Sequence, residues 1–267
     1  MKAMILAAGF GTRLKPFTDK FPKTLVPVCG VPLLLYTLAF LKKNHITEIV
    51  INLHHHGDRI KKLLGNGRHL GLKIRYSQES KILGTGGGIR KAFPFLSKEF
   101  LVMNGDVIVD WSLKKLVNDA HRGKKSIATL VLYKHPQAKR YGLVTSQKGR
   151  VLSILDRPRS KRGVFQGLFS GIHLLSKNQI SPFFEPFAKG EPFCIVRDVY
   201  LSALKQGMRL GAVEFHGFWR VQDRKGDVLQ TQRDLLKTRL SYSFLLQKMV
   251  AVLRKKPLYD RIVTSFE

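Results

Sequence analysis

The sequence predicts an α/β protein with a mixed, mostly parallel sheet flanked by helices. Short β-rich runs alternate with helical apolar spacing through the first half. A loop bearing two glycines follows the first strand directly, where open sheets of this class keep their ligands. After Ser126 the pattern changes to strands with short connections, so part of the sheet is expected to be antiparallel.

In chain order, Lys2 to Ala7 reads as the first strand and Leu33 to Lys43 has the apolar spacing of a helix. "TEIVINL" (Thr47 to Leu53) is a strand, Asp58 to Leu64 a short helix, and "LKIRYS" (Leu72 to Ser77) a strand. "EFLVMNGD" (Glu99 to Asp106) is a buried strand ending in a turn, followed by a helix over Leu113 to His121. "IATLVLY", "YGLVTS" and "GRVLSIL" are strands, the last two joined through the hairpin signal "QKG". "GLFSGIHLLS" is a strand, Val199 to Lys205 a helix and "RLGAVEF" a further strand. From about Asp227 the chain is helical again, and "LLQKMVAVL" gives a strongly apolar face closed by "RKK".

At 267 residues there is material for one large domain plus an appendage, so the reading divides the chain into a main domain, 1–223, and a C-terminal helical extension, 224–267. No run approaches the roughly 18 apolar residues of a membrane span, and no signal-peptide pattern opens the chain, so a cytoplasmic protein is expected. Cys29 and Cys194 lack CxxC or CxxH spacing, which argues against a zinc site and a disulfide framework. The 47 Lys and Arg outnumber 18 Asp and Glu, for a net charge of +29. Such an excess suits polyanions: nucleic acid, an anionic membrane surface or phosphorylated small substrates. The cations are spread along the chain without interleaved aromatics, so no specific nucleic-acid partner is expected.

The loop itself narrows the choice. Gly9 and Gly11 permit close approach of backbone N–H groups to a phosphate, yet Leu14 stands where a dinucleotide fingerprint needs its third glycine, and no GK[ST] follows. Arg13 and Lys23 add positive charge, and Pro16, Pro22 and Pro27 restrict the loop that carries it. "LAAGFGTRLKPFTDKFPKTLVPV" resembles the signature GxGTRLxPxTxxxPKxLxPV of the sugar-phosphate nucleotidyltransferases. "LGTGGGI", "MNGDV" and "FSGIHLL" follow in the family's order, and the resemblance covers roughly residues 1 to 223. The variants GTGGG and NGDV look most like uridylyltransferases for N-acetylmuramate 1-phosphate and guanylyltransferases for mannose and heptose 1-phosphates.

This resemblance implies the Rossmann-like nucleotide-diphospho-sugar transferase fold and the transfer of a nucleotidyl group from a nucleoside triphosphate to a sugar 1-phosphate. It implies Mg²⁺ as cofactor and a product that feeds cell-envelope or glycan synthesis. Leu6, Ala8, Gly9, Gly11, Thr12, Gly84, Thr85, Gly86 and Asn104 fall to the nucleotide, Arg13 to the triphosphate and Lys23 to the phosphates at the reacting centre. Asp106 falls to the metal. "LDRP" resembles the family's EKP element, which gives Asp156 to the sugar hydroxyls, Arg157 to the sugar phosphate and Gly171 to backbone contact with the sugar.

One departure concerns the metal. The family carries W-x-D, but here "FWRVQD" puts Val221 where that aspartate belongs. Asp223 is the replacement ligand available, two residues on and displaced by about 6 to 7 Å along a continuing strand. A bulge or shifted turn is needed to close the gap. The alternative function is a catalytically weak homologue that binds nucleotide or sugar phosphate as a regulatory or partner subunit. The amphipathic extension after 223 could pack on its own domain, pair two subunits or touch a membrane, docking or a homo-oligomer being the commoner outcome, and the internal "HHH" (His54 to His56) is expected to be structural.

Overall fold

The computed structural model describes residues 1–122, 126–155, 157 and 165–266, and only the backbone of residues 121 and 122. Asp156, expected at the sugar, lies outside the described residues. The chain is a mixed α/β fold that separates into two compact units. One comprises Met1, 83–103 and 111–217; the other comprises 2–82, 104–110 and 218–267. These units do not follow the expected division after residue 223, because residues 218–267 all fall in the second.

The second unit is built on three parallel strands, Lys2–Leu6, Glu48–Leu53 and Lys73–Gln78, with the middle one in sequence also central in space. The first two are largely apolar, as strands covered on both faces require, and Ala3, Met4, Ile5, Ile49 and Ile51 are buried, whereas Lys73–Gln78, at the edge of the sheet, alternates exposed polar residues with buried ones. Helices Leu33–Lys43 and Gly57–Leu64 supply the crossovers. The first is buried at every position from Leu33 to Leu41, since the C-terminal helices cover the side that the sheet does not. Those helices span Lys225–Lys237, Ser243–Leu253 and Pro257–Thr264. Leu246, Met249, Val250 and Leu253 turn inward, the Tyr242 ring meets Phe40 at 6.0 Å, and Lys256 and Tyr259 donate hydrogen bonds to the carbonyls of Leu63 and Gly30. The extension thus docks on its own chain.

A small ladder, absent from the sequence reading, completes this unit. Val107–Asp110 pairs antiparallel with Phe218–Val221, Val107 opposite Val221 and Asp110 opposite Phe218. The run expected to continue to Asp106 ends at Asn104, because Gly105 turns the chain there. A Cβ at Gly105 would lie 2.8 Å from both the Leu6 carbonyl oxygen and Thr24 Cγ2, so the turn has room for glycine alone.

In the first unit the pairing is largely antiparallel. Phe165–Ser176 pairs antiparallel with Glu99–Asn104, with Ala128–Tyr133 and with Leu143–Gln147, while Gly211–Phe215 runs parallel to Ala128–Tyr133. The hairpin Leu143–Gln147/Arg150–Ile154 turns at Lys148 and Gly149, both at positive φ (48° and 71°), the conformation of a two-residue turn matched to strand twist. The helix expected from Val199 begins earlier, with a wide turn at Ile195–Tyr200 that runs into Leu201–Lys205. "GTGGGI", whose secondary structure the sequence left unassigned, is the start of a helix, Gly84–Ala92.

Candidate active site

The glycine loop leaves the first strand under tight control. The buried Asn52 side chain accepts from the Ala7 amide at 2.8 Å and donates to Glu79 at 2.7 Å, so the first residue of the loop is pinned to the neighbouring strand. His54, His55 and His56 hydrogen-bond through their rings to the carbonyls of Glu79, Thr18 and Asp19 at 2.8 to 3.0 Å. The triple histidine is therefore scaffolding for this loop, as expected. Gly11 has φ +62°, and a Cβ there would lie 2.7 Å from Lys23 Cβ; Thr18 donates to its carbonyl at 3.1 Å. Gly9, by contrast, faces open space.

Lys23 is the centre of a charged corner. Its ammonium donates to Asp106 Oδ2 at 2.6 Å and to Asp223 Oδ1 at 3.2 Å, and Arg13 pairs with the other oxygen of Asp223. The Lys23 side chain is 15% exposed, against 60% for Arg13, so the inner cation is held while the outer one reaches toward solvent. Burial works against the Lys23 charge, but Asp106 and Asp223 outweigh it and hold the ammonium above its usual 10.5. Burial likewise works against the Asp223 carboxylate, and Lys23 and Arg13 outweigh it, keeping that group below 3.8.

Asp223 reaches this corner although an ideal continuing strand would carry it away from the position of Val221. The ladder ends with the Gln222 amide donating to the Asp106 carbonyl at 2.9 Å, after which the chain leaves the strand. Asp227, in the first turn of the 225–237 helix, then accepts from the amides of Asp223 at 3.2 Å and Arg224 at 2.8 Å. The helix cap replaces two further residues of strand, and its turn swings Asp223 back to the lysine that Asp106 holds. Asp227, Asn52 and Thr18 escaped the sequence reading. A cap signal, an acid three residues beyond Arg224, was present for the first, whereas a lone Asn in an apolar strand and a Thr in a loop carried none.

Asp106 keeps a further capacity. Its Oδ1 is buried and has no hydrogen-bond partner, while Oδ2 holds Lys23. An orphaned carboxylate oxygen beside a second carboxylate is a donor set of the hard-oxygen kind that Mg²⁺ takes.

Leu6, Ala8, Thr12 and Asn104 belong to the same unit as this corner, whereas Gly84, Thr85, Gly86, Arg157 and Gly171 lie in the first unit and are arranged differently. A Cβ on Gly84 would lie 2.5 Å from the Phe193 carbonyl oxygen, and one on Gly86 2.3 Å from the Phe193 ring. The Gly86 amide donates to that carbonyl at 2.9 Å, and the Thr85 hydroxyl accepts from the Ile195 amide at 2.9 Å. The close approach these glycines permit is made by the chain's own 193–195 segment. Arg157 is exposed and borders a cavity of about 830 Å³ with Leu155, Arg197, Leu201, Ser202 and Lys205. Gly171 is buried at φ +81°, where the register of 165–176 against 128–133 shifts between Phe169 and His173.

The family model for nucleotidyl transferases matches residues 2–221. The chain is 29% identical over 251 residues to UTP–glucose-1-phosphate uridylyltransferase of Synechocystis sp., covering 88% of this chain and 63% of that one. It is 34% identical over 194 residues to D-glycero-alpha-D-manno-heptose 1-phosphate guanylyltransferase of Campylobacter jejuni, covering 72% and 82%. It is 31% identical to mannose-1-phosphate guanyltransferase beta-B of Xenopus laevis, covering 82% and 60%. The chain thus spans about three-fifths of the Synechocystis and Xenopus relatives. Among solved structures, a putative glucose-1-phosphate thymidylyltransferase from Bacillus anthracis superposes with TM-score 0.75 at 26% identity, covering 90% of this chain and 96% of that one. HddC from Yersinia pseudotuberculosis does so with TM-score 0.71 at 25% identity, covering 88% and 99%.

Proposed function

The chain belongs to the nucleotidyl transferase family, and from that premise we propose that it transfers a nucleotidyl group from a nucleoside triphosphate to a sugar 1-phosphate. The observation that carries the reading is the convergence of Arg13 and Lys23 from the signature loop, Asp106 and Asp223, three separate stretches of sequence, on one corner. In the reaction an oxygen of the sugar 1-phosphate forms a bond to the α-phosphorus, the bond from that phosphorus to the bridging oxygen breaks, and pyrophosphate leaves. The attacking phosphate is already ionised at neutral pH, so no general base is required. What the protein supplies is fixed positive charge.

Lys23, preheld by two carboxylates, is positioned to be offered to the reacting phosphates, and Arg13, on the exposed side, to the leaving pyrophosphate. Gly9 provides unobstructed backbone for the triphosphate. Asp106 and Asp223 would hold Mg²⁺, with the unpartnered Asp106 Oδ1 as the first donor. The ion would supply Lewis-acid neutralisation of the phosphate oxygens. Arg157, with Arg197 and Lys205 on the same cavity, supports a place for the sugar phosphate.

The test is pyrophosphate release with Mg²⁺, each common nucleoside triphosphate being offered with a pooled set of sugar 1-phosphates. Release with one triphosphate, lost in Lys23→Ala and Asp106→Ala, is the expected result. Triphosphate binding without release across the panel would replace this reading with the non-catalytic homologue that the valine at 221 otherwise favours.

A further inference from the structure

The helices 225–237 and 243–253 each bury one side and turn the other to solvent, and the outward sides share a composition. On the first, Lys225, Leu229, Arg233 and Leu236 succeed one another at helical spacing, with Lys237 beside them. Leu236 is 85% exposed and Leu229 46%. On the second, Phe244, Lys248 and Val252 follow at the same spacing, and Lys255 lies just past its end. Phe244 is 62% exposed, with the Lys248 ammonium 4.3 Å from its ring centre.

No acid balances these cations. The acids within 225–253 are Asp227, which accepts from the amides of 223 and 224, and Asp234, which holds Arg220 at 2.6 Å and Gln230 at 3.0 Å. Both are spent on the chain itself, so the outward faces present cations and apolar side chains, with Gln230 and Gln247 the uncharged polar residues exposed among them.

We propose that the outward sides of these two helices dock on an anionic lipid surface, their leucines, phenylalanine and valine entering the boundary between headgroups and acyl chains while the lysines and arginines meet the lipid phosphates. Attachment in the plane of a membrane combines apolar side chains that enter the headgroup boundary with cations that meet anionic lipid, and the outward sides carry both. None of the described helices is long and apolar enough to cross a membrane, so attachment is peripheral. A second copy is a poorer occupant, because a two-fold contact would set like charges against each other. Single-stranded nucleic acid is poorer too: it requires successive stacking surfaces, and Phe244 is the lone aromatic on the outward faces. This inference is independent of the transferase reading.

The test is co-sedimentation of the full chain with vesicles of phosphatidylcholine alone and with about 30% phosphatidylglycerol. Binding is expected only to the anionic vesicles. Leu236→Ser and Phe244→Ser, at exposed positions that leave every charge in place, should each weaken it about tenfold, the value of removing one buried apolar side chain. Arg233→Gln with Lys248→Gln should weaken it by more than Lys91→Gln with Lys189→Gln, which remove equal charge from exposed sites elsewhere. The proposal is overturned by absent binding, by binding that the two serine variants leave unchanged, or by equal losses in the two charge-matched pairs. It is also overturned by a dimeric mass that Leu236→Ser halves, or by RNA binding that the serine variants abolish while vesicle binding persists.

Discussion

The charged corner around Lys23 and the glycine-rich start of the 84–92 helix came from equally suggestive motifs, yet they are built on opposite principles. At the corner, residues from distant parts of the chain converge on one another and leave functional capacity over: an unpartnered Asp106 oxygen, an outward Arg13 and an uncovered Gly9. At the helix, Thr85 and Gly86 are engaged by Phe193 and Ile195, and the space a ligand would enter beside Gly84 and Gly86 is filled by the chain. A glycine motif can thus serve close approach of a ligand or close approach of the protein, and the two are alike in sequence.

Substitutions can break that contrast. Lys23→Ala should lower turnover by about 10²- to 10³-fold or more, the usual effect of removing one fixed electrostatic contact to a developing charge, read as pyrophosphate release. A smaller loss than in Gly86→Ala would reverse the comparison. Gly86→Ala must move the Phe193 ring and should cost about 1–3 kcal/mol in thermal unfolding, with nucleotide affinity changing less than stability. An intact melting curve with lost nucleotide affinity would make those glycines ligand contacts after all.

The third substitution uses pH. Asp223 is held below 3.8 in the folded chain, so its pairing stabilises fully above the unfolded value and is lost as pH falls through the lower folded one. In urea unfolding, the advantage of the native chain over Asp223→Asn should persist at neutral pH and shrink below about pH 4. A gap that is constant with pH would mean the carboxylate contributes by shape and not by charge. Least disturbed of all should be Gly9→Ala, which meets nothing within 4 Å and should change stability by less than about 0.5 kcal/mol. Any sizeable effect of that variant should fall on triphosphate affinity, measurable by calorimetry.

Much of the fold was legible because its helices and strands are long and strongly patterned. Leu33–Lys43 is found at its expected bounds and the strands at 2–6, 48–53 and 165–176 within two residues of theirs, since apolar periodicity and burial coincide there. The short ladder of 107–110 with 218–221 was not legible, because four residues after a turn carry too little pattern to separate strand from loop. At the site, it was the resemblance of the signature loop and of "NGD" to the family's motifs that brought Arg13, Lys23 and Asp106 forward, and the fold brings Lys23 against Asp106. That Asp223 would meet them was not readable from strand geometry, which put it out of reach. The cap formed by Asp227 is a tertiary outcome of where the ladder stops, and linear spacing along an ideal strand has no means of expressing it.

That cap bears on how such chains are sorted. Judged column by column, a protein with valine at the position after Trp-Arg would be filed among those that have lost their second acid. Here a carboxylate two places along the chain, Asp223, is folded back by the helix start against the lysine that the first aspartate holds. The informative criterion is then spatial: whether any carboxylate lies within reach of the lysine held by the first aspartate, whatever its place in an alignment. Loss and relocation leave the same mark in a sequence and opposite marks in three dimensions.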